Sequence, residues 1–122
     1  MPKVILVAED FATSRNVIKS TLEKKGFIVI TAEDGRDALK HFNGQTIDLV
    51  ITDFNMPHLD GAELAKEIRS LTAYKSIPIL VLSTETNRQK KEKAQEAKIT
   101  GWIKKPFQSE EFLDIVNRVL RH

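Results

Sequence analysis

Apolar runs of strand length alternate with amphipathic stretches along this whole chain, and few folds accept that pattern. Val4 to Ala8 is continuously apolar, as a strand covered on both faces is. Asn16 to Lys25 then carries Val17, Ile18 and Leu22 at helical spacing, with Gly26 where a helix ends. Phe27 to Thr31 is a second apolar, β-branched run, and Ala38, Leu39 and Phe42 mark a second helix that stops near Gly44. Ile47 to Thr52 reads as a third strand, followed by a helix on Leu64, Ile68 and Leu71 with Asp60 as its N-cap. Pro78 to Ser83 is a fourth strand, residues 87 to 98 a charged fourth helix, and Trp102 and Ile103 part of a short fifth strand. Ser109 is expected to cap a last helix that turns Phe112, Ile115 or Val116, and Val119 inward. Apolar strands alternating with amphipathic helices imply an α/β fold, a parallel sheet with helices on both faces. Right-handed crossovers then leave few topologies.

The fourth helix stands apart. Between Asn87 and Lys98 only Ala94 and Ala97 are apolar. A helix with so little to bury is expected to be held loosely and to open at low cost.

Length and charge narrow the function classes. A chain of 122 residues fits one domain, residues 1–122, and can bury a core. With 19 basic and 17 acidic residues the net charge is only +2, which argues against a dedicated nucleic-acid surface. No cysteine is present, so disulfides, thiol nucleophiles and thiolate metal sites are excluded. The apolar run Val4-Ile5-Leu6-Val7 is too short for a signal peptide or a membrane span. A cytoplasmic protein without membrane insertion is expected. The chain stops just after the last helix, so no attached output domain is expected.

In an open parallel sheet, ligands bind beyond the carboxyl ends of the strands. Strand one ends in Glu9-Asp10, strand three in Asp53, strand four in Ser83-Thr84 and strand five in Lys104-Lys105-Pro106. Each of these alone reads as a turn or loop residue. Together they bring three carboxylates, a hydroxyl and a lysine to one edge. Crowded carboxylates call for a hard cation, and Mg²⁺ takes oxygen ligands of this kind. A carboxylate can also act as a nucleophile toward phosphorus, with lysine as a point charge on a phosphoryl oxygen. His41, His58 and His122 form no metal-ligand spacing and are expected at the surface. Tyr74 carries no assignment.

The residues now on view resemble the receiver domain of two-component response regulators, over essentially the whole length. The matching stretches are Glu9-Asp10-Phe11, Asp53-Phe54-Asn55-Met56-Pro57 with Asp60-Gly61, Ser83, and Lys105-Pro106-Phe107. Thr52 to Pro57, Trp102 and the lack of an output domain look most similar to the chemotaxis CheY group. The resemblance implies a flavodoxin-like, doubly wound sheet of (βα)5 form with strand order 2-1-3-4-5. It implies Asp53 as phospho-acceptor. Asp10 would bind Mg²⁺ directly, Glu9 through water, and the Asn55 backbone carbonyl would be a further ligand. Lys105 would contact the phosphoryl group across a cis bond to Pro106. Ser83 and Trp102 would be the coupled switch pair, remodelling the face of helix four, strand five and helix five. Asn55 and Glu85 would flank the hydrolytic water and tune the lifetime of the signal. A sensor histidine kinase (CheA-like) would supply the phosphoryl group to a monomeric protein. A downstream protein, such as a flagellar motor switch protein, would read it. Glu9 in place of an Asp, Thr84 in place of a smaller residue, and Trp102 in place of Tyr or Phe are departures from the family pattern.

Other classes remain open. An Mg²⁺-dependent phosphatase with an Asp nucleophile usually carries a second acid two residues on, where this chain has Asn55. A flavin module would need a glycine in Phe11-Ala12-Thr13-Ser14-Arg15, and there is none. A receiver acting as a phosphate sink or in another pathway also fits the pattern, whereas the intact acidic set, Ser83 and Lys105 speak against one that only binds partners. The leading expectation is a signalling module that catalyses only its own phosphorylation and dephosphorylation and is not a turnover enzyme.

Overall fold

The structure, a computed structural model, describes residues 2–84 and 87–121. Among these, five strands form one parallel sheet: β1 (Val4–Ala8), β2 (Ile28–Ala32), β3 (Leu49–Asp53), β4 (Ile79–Ser83) and β5 (Gly101–Lys104), in the order β2-β1-β3-β4-β5. The helices between and after them are α1 (Ala12–Glu23), α2 (Gly35–Leu39), α3 (Gly61–Ser70), α4 (Arg88–Glu96) and α5 (Ser109–Leu120). This is the flavodoxin-like order expected above.

Strand alternation splits the core in two. Ile5, Val7, Leu49, Ile51, Leu80, Leu82 and Ile103 pack with Ile18 and Leu22 of α1 and with Phe112 and Val116 of α5. Leu6, Ala8, Val50, Ile79 and Val81 pack on the other face with Ala38 of α2, Leu64 and Ile68 of α3 and Ala94 of α4. The central strands are apolar in both phases because helices cover both faces.

Several local expectations change. Helix α1 begins at Ala12 rather than Asn16, with Arg15 N donating to Phe11 O at 2.9 Å, so its first turn lies beside the end of β1. Val17, expected inward, is 59% exposed, whereas Ile18 and Leu22 are buried. Ser109 is the first residue of α5 and not its cap; Gln108 stands at that position without a side-chain cap bond. Phe112 and Val116 face the core, with Ile115 and Val119 only half-buried. Gly26 and Gly44 have φ of 89° and 104°, the left-handed turns that end the first two helical segments. Tyr74 is structural: its hydroxyl donates to Gln45 O at 2.6 Å, and its ring meets Phe42 edge-on at 4.9 Å. His58 is exposed, 3.9 Å from Asp34, His41 is half-buried, and His122 lies outside the described residues.

Helix α4 does bury little, Ala94 and Ala97 being its apolar contribution. Polar tethers add to it. Arg69 of α3 donates to Lys98 O through Nε at 3.1 Å and Nη2 at 2.9 Å, holding the turn after α4. No helix among the described residues is long and apolar enough to cross a membrane.

Candidate functional site

Phase along each strand decides which side of the sheet each terminal residue takes. Glu9 continues the phase of Ile5 and Val7, Asp53 that of Leu49 and Ile51, and Lys105 that of Ile103. All three emerge on the α1–α5 side. Lys105 Nζ stands 2.9 Å from Glu9 Oε2 and 2.9 Å from Asp53 Oδ1. Glu9, Asp10 and Asp53 each present a carboxylate oxygen within 4.8 Å of the others. Ser83 has the opposite phase, following Ile79 and Val81, and Trp102 packs on that same α3–α4 face.

Backbone bonds lock the edge together. Phe54 N donates to Leu82 O at 2.9 Å, and Lys105 N donates to Ser83 O at 2.8 Å, so the ends of β3, β4 and β5 advance as one. The Lys105–Pro106 bond is cis. Arg15 Nη1 donates to Glu9 O at 2.9 Å, and Phe11 N donates to Glu9 Oε1 at 3.2 Å. Gly61 N donates to Phe54 O at 2.7 Å, seating the start of α3 against the Asp53 loop. A Cβ on Gly61 would lie 2.7 Å from Asp53 O, too close for any other residue without movement. Gly61→Ala is therefore expected to displace that peptide and destabilise the fold by about 1–3 kcal/mol. An unchanged urea midpoint would contradict it.

The electrostatics follow from crowding. Burial pushes the Asp53 carboxyl up from 3.8 to about 6; the Lys105 hydrogen bond lowers it, while the charges of Glu9 and Asp10 raise it further. Burial works against the Lys105 charge, but its bonds to Asp53 and Glu9 outweigh that, and its pKa is raised. Glu9 is only 2% exposed, so its charge is held by Lys105 and not by solvent. Three hard carboxylate oxygens at this spacing suit a small cation such as Mg²⁺, whose ligands sit about 2.1 Å away.

The remaining site residues lie around this cluster. Ser83 is buried at the end of β4. The Trp102 ring tilts against Phe54 at 5.7 Å, and its buried indole N–H has no acceptor among the described residues. Asn55 is exposed, and its side-chain oxygen accepts from Lys90 Nζ at 3.3 Å. Glu85 lies outside the described residues. Sequence reasoning missed Lys90, Lys93 and Arg15. The available signal was position: Lys90 falls in the first turn of α4, which starts from the same sheet edge.

The fold and the edge together define a flavodoxin-like α/β protein with a carboxylate cluster and a paired lysine at the switch-point end of its sheet. Residues 5–117 match the response regulator receiver domain family, and the chain belongs to that family. It is 38% identical over 104 residues to the chemotaxis protein CheY-3 of Vibrio cholerae, covering 84% of this chain and 80% of that protein. The solved structure of chemotaxis response regulator CheY4 of Vibrio cholerae superposes with a TM-score of 0.91 at 38% identity, covering 98% of this chain and 99% of that one. The receiver domain of a sensor histidine kinase from Pseudomonas aeruginosa, solved with a magnesium ion coordinated in its active site cleft, gives a TM-score of 0.92 at 27% identity, with all of both chains covered. The chain is thus a CheY-like receiver domain with chemotaxis proteins among its relatives.

Proposed function

We propose that this protein is a phosphorylation switch that accepts a phosphoryl group on Asp53 in the presence of Mg²⁺. The observation that carries the reading is the meeting of Glu9, Asp10, Asp53 and Lys105 at one sheet edge. Asp10 and Asp53 would hold the ion directly, with the Asn55 carbonyl. Both Glu9 oxygens already accept bonds, from Phe11 N and Lys105 Nζ, which favours its acting through water. The magnesium-bound Pseudomonas relative supports the same ion here. Bound Mg²⁺ would neutralise the clustered carboxylates and the phosphoryl oxygens.

The chain's own groups do the rest. An Asp53 oxygen forms the bond to phosphorus as the donor's phosphorus–nitrogen bond breaks. Lys105, released from Asp53, follows the new negative charge onto a phosphoryl oxygen. Ser83 donates to another. Trp102 then moves inward. The α4–β5–α5 face changes and a downstream protein reads it. The donor is a sensor histidine kinase of CheA type, and the chemotaxis relatives favour a flagellar motor switch protein as target. The chain acts on its own carboxylate and is not a turnover enzyme.

The test is incubation with acetyl phosphate and Mg²⁺ followed by intact-mass measurement. One added phosphoryl group is expected; no adduct sinks the reading. A second expectation concerns Trp102, the single tryptophan of the chain. Its emission should change modestly with Mg²⁺ and more with phosphorylation; an unchanged spectrum in the phosphorylated protein would exclude Trp102 from the switch.

A further inference from the structure

Two lysines fasten α4 to the loop that follows Asp53. Lys90 Nζ donates to Asn55 Oδ1 at 3.3 Å and lies 5.6 Å from the centre of the Phe54 ring. One turn on, Lys93 Nζ meets Asp60 Oδ2 at 2.7 Å. The Asn87 cap accepts from Lys90 N at 3.1 Å, which sets where this lysine leaves the helix. An ammonium can only donate, so Asn55 turns its amide oxygen, and not its NH₂, toward Lys90.

We propose that Lys90 is a positioning residue that prolongs the life of the phosphoryl group on Asp53. The inference rests on the function proposed above and concerns how that state ends. In hydrolysis a water oxygen bonds to phosphorus and the bond from phosphorus to the Asp53 oxygen breaks. The carboxylate is restored, and inorganic phosphate leaves with the proton that the water gives up. The attacking water needs an acceptor to aim it. Asn55, two residues beyond Asp53, is placed to serve, but Lys90 takes one of the two acceptor sites on its oxygen and draws it toward α4. The ammonium also adds positive charge at the rim of a site that gains about two negative charges on phosphorylation. In a loose transition state, charge leaves the equatorial oxygens for the departing carboxylate. A cation facing those oxygens stabilises the ground state more than the transition state. Both effects slow the loss.

The wild type, Lys90→Gln and Lys90→Arg are loaded from acetyl phosphate in Mg²⁺, the donor is removed, and the adduct is followed by intact mass. Lys90→Gln should lose it roughly three- to tenfold faster, the range a partly exposed charge contact supports. Lys90→Arg keeps the charge and should stay within about twofold of wild type. Added salt should speed wild-type decay toward the Gln rate and leave Lys90→Gln unchanged, a response that a purely structural role would not give. Equal or slower decay of Lys90→Gln, or no salt effect confined to the charged forms, overturns the proposal. A wild type that takes up no phosphoryl group overturns the underlying function as well, which tells the two failures apart.

Discussion

Asp53→Asn should abolish phosphoryl uptake and, in the same protein, raise the stability of the metal-free fold. The first effect follows from the loss of the carboxylate that combines the Lys105 contact with a place at the end of β3. An amide nitrogen or oxygen is a poor nucleophile toward phosphorus, so no adduct should survive. The second effect follows from the raised pKa of Asp53. Its folded-state value is about 6 against 3.8. The folded protein therefore holds this proton to higher pH than the unfolded chain does. The stability this group contributes is complete below about pH 4 and is lost as pH rises through about 6. Above pH 7 the ionised wild type carries the full penalty and the Asn variant carries none. The site is partly open to solvent, so the gain is about 1–2 kcal/mol rather than the full value of the shift. Mg²⁺ should narrow the gap by stabilising the wild type more. Urea melts at pH 5 and pH 8 with and without Mg²⁺ measure it. An Asn variant less stable than wild type at pH 8 without metal would show that the carboxylate is better compensated than its surroundings suggest.

Lys105→Met should be the more damaging change. It removes the cation shared by a Glu9 carboxylate that is 2% exposed and an Asp53 carboxylate that is 14% exposed. Breaking one side of a buried ion pair leaves uncompensated charge, at a cost of about 3–5 kcal/mol where burial is complete. Here the opening at Asp10 and Asp53 reduces that to roughly 2–4 kcal/mol. The deficit should shrink as pH falls, because the Asp53 carboxylate, its pKa already raised by burial, can then take a proton. Glu9→Gln added to Lys105→Met should recover part of it, and the double-mutant cycle reads the coupling directly. Phosphoryl uptake should also fall, since the neighbouring Lys104 is exposed and of opposite strand phase and does not replace the point charge. Additive losses in the double variant would mean that Glu9 and Lys105 do not act as a pair.

Much of this site was legible because strand ends are legible, and the strand phase seen in the structure explains why they converge. Ile5, Val7 and Glu9 alternate without interruption, as do Leu49, Ile51 and Asp53. Counting by twos from the apolar core delivers both acids, and Lys105 after Ile103, to one side. The same count places Ser83 on the opposite side. The strand order came through the resemblance, because apolar runs alone do not say which strand lies beside which. Helix starts were less legible. Ala12 to Arg15 has no side-chain cap and little hydrophobic signal, yet it is helical, with Arg15 anchored to the Glu9 carbonyl across the turn. Val17 fits a helical repeat but faces outward, since Ile18 and Leu22 already fill the space under α1. The lysine tethers of α4 were not legible at all. They depend on side chains reaching between elements 30 or more residues apart, and no local pattern records that.

The division of terminal residues between the two sides of the sheet bears on how proteins of this kind diversify. Glu9, Asp53 and Lys105 continue the strand phase of one face; Ser83 and Trp102 continue that of the other. Drift in the packing around α3 and α4 can therefore rewrite which partners are met while Glu9, Asp53 and Lys105 keep their places. The five-strand sheet thus stands between the carboxylate–lysine contacts and the packing of α3 and α4.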